Sequence, residues 1–129
     1  MDLTSIAAVV YAAVTAASVA FQLALALGAP WGEYAMGGRS RGRLPAPLRV
    51  GAVLQAVILG LMALVVLSRA GLVLPTWAAA SARWIGVVVT VAVASAVLNA
   101  MTRSVWERRI WLPVTLVLVV SSLTVALAG

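Results

Sequence analysis

Four long stretches of this chain carry no charged side chain, and charged residues fence them: Leu3 to Gly32 ahead of Glu33, Val50 to Ser68 between Arg49 and Arg69, Trp84 to Thr102 between Arg83 and Arg103, and Ile110 to Gly129 after Arg109. Roughly 20 apolar residues rising 1.5 Å each cross a hydrocarbon core of about 30 Å, and every stretch reaches about that length. Inside hydrocarbon the backbone can bond only to itself, so each stretch must be an α-helix. At 64% hydrophobic and 9% charged residues, with mean hydropathy +1.14, the chain holds more apolar surface than a soluble core of 129 residues can hide. The pattern predicts an all-α fold: a four-transmembrane-helix bundle of two helical hairpins, one membrane domain, with spans at about 3–27, 48–70, 83–101 and 110–128. The first stretch has no basic segment before it and is too long for a signal-peptide core, so it reads as a retained span.

The charges set the orientation. Arg39, Arg41, Arg43 and Arg49 flank the first connection and Arg103, Arg108 and Arg109 the third, whereas only Arg69 and Arg83 border the second. The first and third connections share a side, and the positive-inside rule puts that side in the cytoplasm, leaving both termini outside (N-out, C-out). The net charge of +6 is thus a topology signal, and no nucleic-acid partner is expected. Every basic residue is Arg and none is Lys, a bias of GC-rich genomes that points to a bacterial inner membrane. Membrane lipids are the expected surroundings, with self-association into a homo-oligomer or docking on a larger membrane complex.

Along the first helix, Thr4, Tyr11, Thr15, Ser18 and Gln22 recur at helical spacing on one face, beside a ladder of Ala8, Ala12, Ala16, Ala20 and Ala24 that would let a neighbouring helix approach closely. Gly28 and Pro30 end this helix. The first connection, Gly28 to Leu48, is long for a helical hairpin and rich in glycine and proline, with Trp31 and Tyr34 suited to the headgroup level. Trp77 and Trp84 anchor the second connection. The third turn, Thr102 to Arg109, leads into a helix with Pro113 in its first turn, where a missing N–H costs little.

Depth organises the polar residues. Gln22, Gln55 and Asn99 each lie a few residues inside the arginine-rich boundary, so at 1.5 Å per residue they form one layer. Ser18, Ser95 and Thr102 can join it, and Glu33, Tyr34, Trp106 and Glu107 can close over it from the connections. The expected site is a cytoplasm-facing cup with polar groups near its mouth and an apolar floor, suited to a small amphipathic or hydrophobic ligand that is bound or translocated. Ligand-binding residues would be Gln22, Ser18, Gln55, Asn99, Glu33, Tyr34, Trp106 and Glu107. Arg39, Arg41 and Arg43 would hold anionic lipid headgroups. The plainer reading of the hydroxyls and amides is that they bond across helices with no ligand.

Chemistry in the catalytic sense has little to work with. The chain has no His, Cys or Lys, so no metal ligand set, thiolate nucleophile or Schiff base is available, and no cofactor or metal is expected. Besides the ligand-binding protein, two other classes fit: a non-catalytic accessory subunit, and a membrane-embedded isomerase or hydrolase using Glu33 and Glu107 as acid and base. The lack of cysteine makes the orientation testable. In intact cells an Arg41→Cys variant will resist a membrane-impermeant maleimide until the membrane is permeabilised, whereas Gly71→Cys will react at once. The reverse result would invert the topology.

Overall fold

The computed structural model describes residues 1–38 and 40–129. Among them the chain forms four α-helices and no strand: α1 Leu3–Ala26, α2 Ala46–Arg69, α3 Ala78–Met101 and α4 Val105–Ala128, each of 24 residues. At 1.5 Å per residue each is about 36 Å long, enough to cross a membrane with some tilt. Their outer faces are apolar, with Leu54 and Leu61 of α2, Leu98 of α3 and Val120 of α4 well exposed. All four are long and apolar enough to span, which marks a multi-pass membrane protein.

The helices run alternately up and down. α1 packs most closely on α2 and α3 on α4; α1 also packs on α4, and α2 meets α3 more loosely. One end of the bundle therefore carries the first and third connections with most of the arginines, and the other carries both termini and the second connection. α1 begins at Asp2, whose carboxylate accepts the Ser5 amide at 2.8 Å; that bond holds its pKa below the ordinary 3.8. Gly28, at φ +100°, ends α1: its N–H reaches Leu25 O and that of Ala29 reaches Ala24 O, a Schellman closure. Gly71, at φ +76°, does the same for α2 through Ser68 O and Leu67 O.

The third and fourth helices start earlier than hydropathy suggests. A 3₁₀ turn at Pro75–Trp77 feeds straight into Ala78, and the alanines that follow favour helix. Ser104 caps α4 by accepting the Glu107 amide at 3.2 Å, so only a short turn separates α3 from α4. Pro113 consequently lies well inside α4 and not in its first turn, and it leaves the Arg109 carbonyl without its usual intrahelical donor.

Two apolar clusters hold the helices together. Ala7, Ala8, Tyr11, Val66, Ile85, Val88, Ala92, Leu118 and Val125 form the larger one. Leu25, Ala35, Leu44 and Ala52 form the smaller, beneath the first connection. The hydroxyl face of α1 turns inward, with Tyr11, Thr15 and Ser18 buried. The alanine ladder does not line an internal contact throughout: Ala8 is fully buried, but Ala16 and Ala20 are exposed. Ala8 has no space for a larger side chain. An Ala8→Leu substitution will overpack the larger cluster and destabilise the fold by about 1–3 kcal/mol, read as an earlier unfolding midpoint in mixed micelles. An unchanged midpoint would show that the cluster is loosely packed.

Candidate functional site

Most of the hydroxyls that would be costly in hydrocarbon are satisfied within their own helices; Thr15 Oγ1, buried on α1, has no hydrogen-bond partner among the described residues. Ser18 Oγ donates to Val14 O, Thr115 Oγ1 to Trp111 O, Ser121 Oγ to Val117 O and Ser122 Oγ to Leu118 O, at 2.6–3.0 Å. These bonds run back one turn and do not cross between helices, so the cross-helix network anticipated from sequence is not what holds the hydroxyls. Asn99 follows the same habit, its Nδ2 donating to Ser95 O at 2.8 Å.

Gln22 does not. Its Oε1 is buried and has no hydrogen-bond donor among the described residues. It faces a cavity of about 360 Å³ between the four helices at the arginine-rich end. The cavity lies between the two apolar clusters: Leu118 belongs to the larger cluster and Met62 packs against it, forming the floor, while Ala35 belongs to the smaller and Phe21 and Met36 pack against that one, forming the roof. Ser18, Gln22, Gln55, Ser95, Asn99, Glu107 and Thr115 supply the polar lining. The layer deduced from depth is thus gathered around one hollow.

The roof is the first connection, folded back on itself. Gly32 N–H donates to Gly42 O at 2.7 Å, and a Cβ on Gly32 would collide with the Ser40 carbonyl, so only glycine fits there. Two bonds then fasten the connection to α4. Trp111 Nε1 donates to Tyr34 O at 2.7 Å, and Ser104 Oγ donates to Glu33 O at 3.2 Å. Phe21 stacks on Trp31 with ring centres 6.0 Å apart and meets Trp111 obliquely at 4.8 Å, closing the corner between α1 and α4.

The side chains expected at the mouth divide. Glu107 lines the cavity; Glu33, Tyr34 and Trp106 are not among its lining residues. Glu33 and Tyr34 contribute through their carbonyls, and the Tyr34 ring packs edge-on against Trp106, which is half exposed. A pair of glutamates facing one hollow, which acid–base chemistry would need, is not what the lining contains. Among the described residues no group of three or more acids, His or Cys is placed to hold a metal. Sequence reasoning missed Phe21, Trp111 and Thr115; their helical spacing from Ser18, Glu107 and one another is the signal that would have found them.

The arginines serve the helix ends. Arg49 Nε donates to Ala26 O at 2.9 Å, Arg108 Nη1 to Thr102 O at 2.6 Å and Arg69 Nη2 to Gly129 O at 2.6 Å, so cations sit at the carbonyl-rich termini of α1, α3 and α4. The Arg43 guanidinium lies against Gly28, so its cation too stands at the end of α1. Arg41 and Arg43 are exposed, and Arg39, named with them for headgroup binding, lies outside the described residues.

No protein-family model matches this chain, and neither curated proteins nor solved structures give a match. The roof yields a direct test. Trp111→Phe keeps the ring but removes the bond to Tyr34 O, a loss of about 1 kcal/mol, so amides at 34–38 will exchange with deuterium faster. Unchanged protection there would mean that this bond does not hold the roof.

Proposed function

We propose that this protein binds a small amphipathic molecule in the cavity between its four helices, to hold it or to carry it across the membrane. The observation that carries the reading is Gln22 Oε1, a buried acceptor with no donor among the described residues, which, unlike the equally unpartnered Thr15 Oγ1, belongs to a residue that lines the cavity. An orphaned acceptor costs about 1–3 kcal/mol, a cost that a ligand hydroxyl or amine offsets. Gln55 and Asn99 lie at the same level and orient the ligand's polar group, and the floor below accepts its apolar part. Among the described lining residues Glu107 is the ionisable one, and Glu33 with Tyr34 act on the site through the roof.

The same reading places the arginine-rich end in the cytoplasm, in the inner membrane of a bacterium, with Arg41 and Arg43 turned toward anionic headgroups. Copies of the chain associate through outward faces where small residues such as Ala16, Ala20 and Gly60 permit close approach.

Gln22→Met separates binding from folding. It replaces the orphaned acceptor with an apolar side chain of similar length, so the ligand-free protein will gain up to about 1–3 kcal/mol of stability. Native mass spectrometry of wild type from its own lipid will show an adduct of constant mass, and the variant will lack it. An adduct-free wild type, or an equal adduct on Gln22→Met, would refute the assignment.

A further inference from the structure

The lining residues differ in exposure in a way that shows where the cavity opens. Ser18, Ala35, Thr115 and Leu118 are buried and most others are half-buried, but Gln55, Ile58 and Leu98 are exposed, the last by 67%. All three lie on α2 and α3, the neighbouring helices that pack most loosely. The roof is tied down by Trp111 and Ser104, and the larger apolar cluster blocks the floor. The remaining way out is sideways through the α2–α3 seam, flanked on α2 by the apolar and exposed Leu54.

A second hollow, of about 340 Å³, continues along that seam toward the terminal end. It is lined by Leu61, Leu64, Val65 and Ser68 of α2, with Trp77 and Trp84 opposite. Gln55, Ile58 and Met62 line the first hollow, so the two occupy successive turns of one face of α2. From Gln55 to Ser68 this face extends roughly 20 Å at 1.5 Å per residue. The first hollow is polar at one side and the second is almost wholly apolar. The unsatisfied group at the polar side of the first is an acceptor, Gln22 Oε1, so a head that donates a hydrogen bond fits it and a carboxylate, which only accepts, does not.

Building on the ligand-binding reading above, we infer that the ligand is a neutral or cationic single-chain amphiphile that passes between α2 and α3 directly from the lipid. Its hydroxyl or amine donates to Gln22 Oε1, and its chain lies along the seam toward Trp84. Each hollow is near the lower end of the size range of small-molecule pockets, about 300 Å³, which admits one chain and not a two-chain lipid.

The cysteine-free chain permits a clean test in liposomes. Ser95→Cys puts the sole thiol in the cavity, and Val97→Cys puts it on the lipid-facing side of the same helix. N-dodecylmaleimide, which partitions into bilayers, will modify both, and a sulfonated impermeant maleimide will modify neither. Adding Ile58→Trp and Leu98→Trp will slow the reaction at Ser95→Cys by about tenfold, a barrier increase of about 1.4 kcal/mol, and leave Val97→Cys unchanged. Ile58→Ala with Leu98→Ala will speed it, which guards against a misfolded blocking variant. Dodecylamine and dodecanol will protect Ser95→Cys, and dodecanoate will not. If the impermeant reagent reaches Ser95→Cys, or the seam variants change nothing, lateral passage is wrong while the binding site stands. If Val97→Cys reacts and Ser95→Cys reacts with neither reagent, the hollow is closed and both readings fall.

Discussion

The lack of water in a bilayer core makes every polar atom a debt to be met locally, and this structure is organised by how it meets that demand. Backbone groups inside the spans are satisfied by helix. At the ends, where the last carbonyls have no helical donor, glycines close α1 and α2, and arginine side chains reach the final carbonyls of α1, α3 and α4. Most serine and threonine hydroxyls within the spans return to the carbonyl one turn back. Against that background Thr15 Oγ1 and Gln22 Oε1 stand out as buried atoms without partners among the described residues, and of the two Gln22 belongs to the lining of a hollow.

The hollow exists because the core is divided. Above and below the layer of Ser18, Gln22, Ser95 and Asn99 the helices meet through apolar side chains that pack closely. At the layer itself the side chains are polar or carry long flexible stems, and they cannot fill the axis without burying unsatisfied groups. The first connection seals what would otherwise be a cup open at its end. Its seal is mostly backbone: the carbonyls of Glu33 and Tyr34 and the Gly32–Gly42 bridge. With the first connection folded over that end, the α2–α3 seam is the most loosely packed side of the hollow.

Several of these features were legible in the residues and several were not. The depth of Gln22, Gln55 and Asn99 follows from counting along helices whose boundaries arginines mark, and the three do line one cavity. The Ser104-Val105-Trp106-Glu107 run carried an N-cap signal that outweighs hydropathy, and it is why α4 begins before the apolar stretch and takes Pro113 into its interior. The arginines read as topology signals also close helix ends, a second role that charge counting cannot reveal. The alanine ladder misled, because small residues suit a close helix contact and a lipid-facing surface equally well, and periodicity alone does not distinguish them.

The sequence by itself determined what is local and additive: four helices from the length of uncharged apolar runs, the glycine stop of α1, and the level at which polar groups sit, since each depends on neighbours a few positions away. Only the tertiary structure decided what depends on how helices rotate and tilt against one another. That includes which face of α1 turns inward, the folding of the first connection over the bundle, the loose packing of α2 on α3, and the open acceptor on Gln22. Those outcomes turn on side-chain packing between elements distant in the chain, where differences of a few ångströms decide whether a polar atom finds a partner.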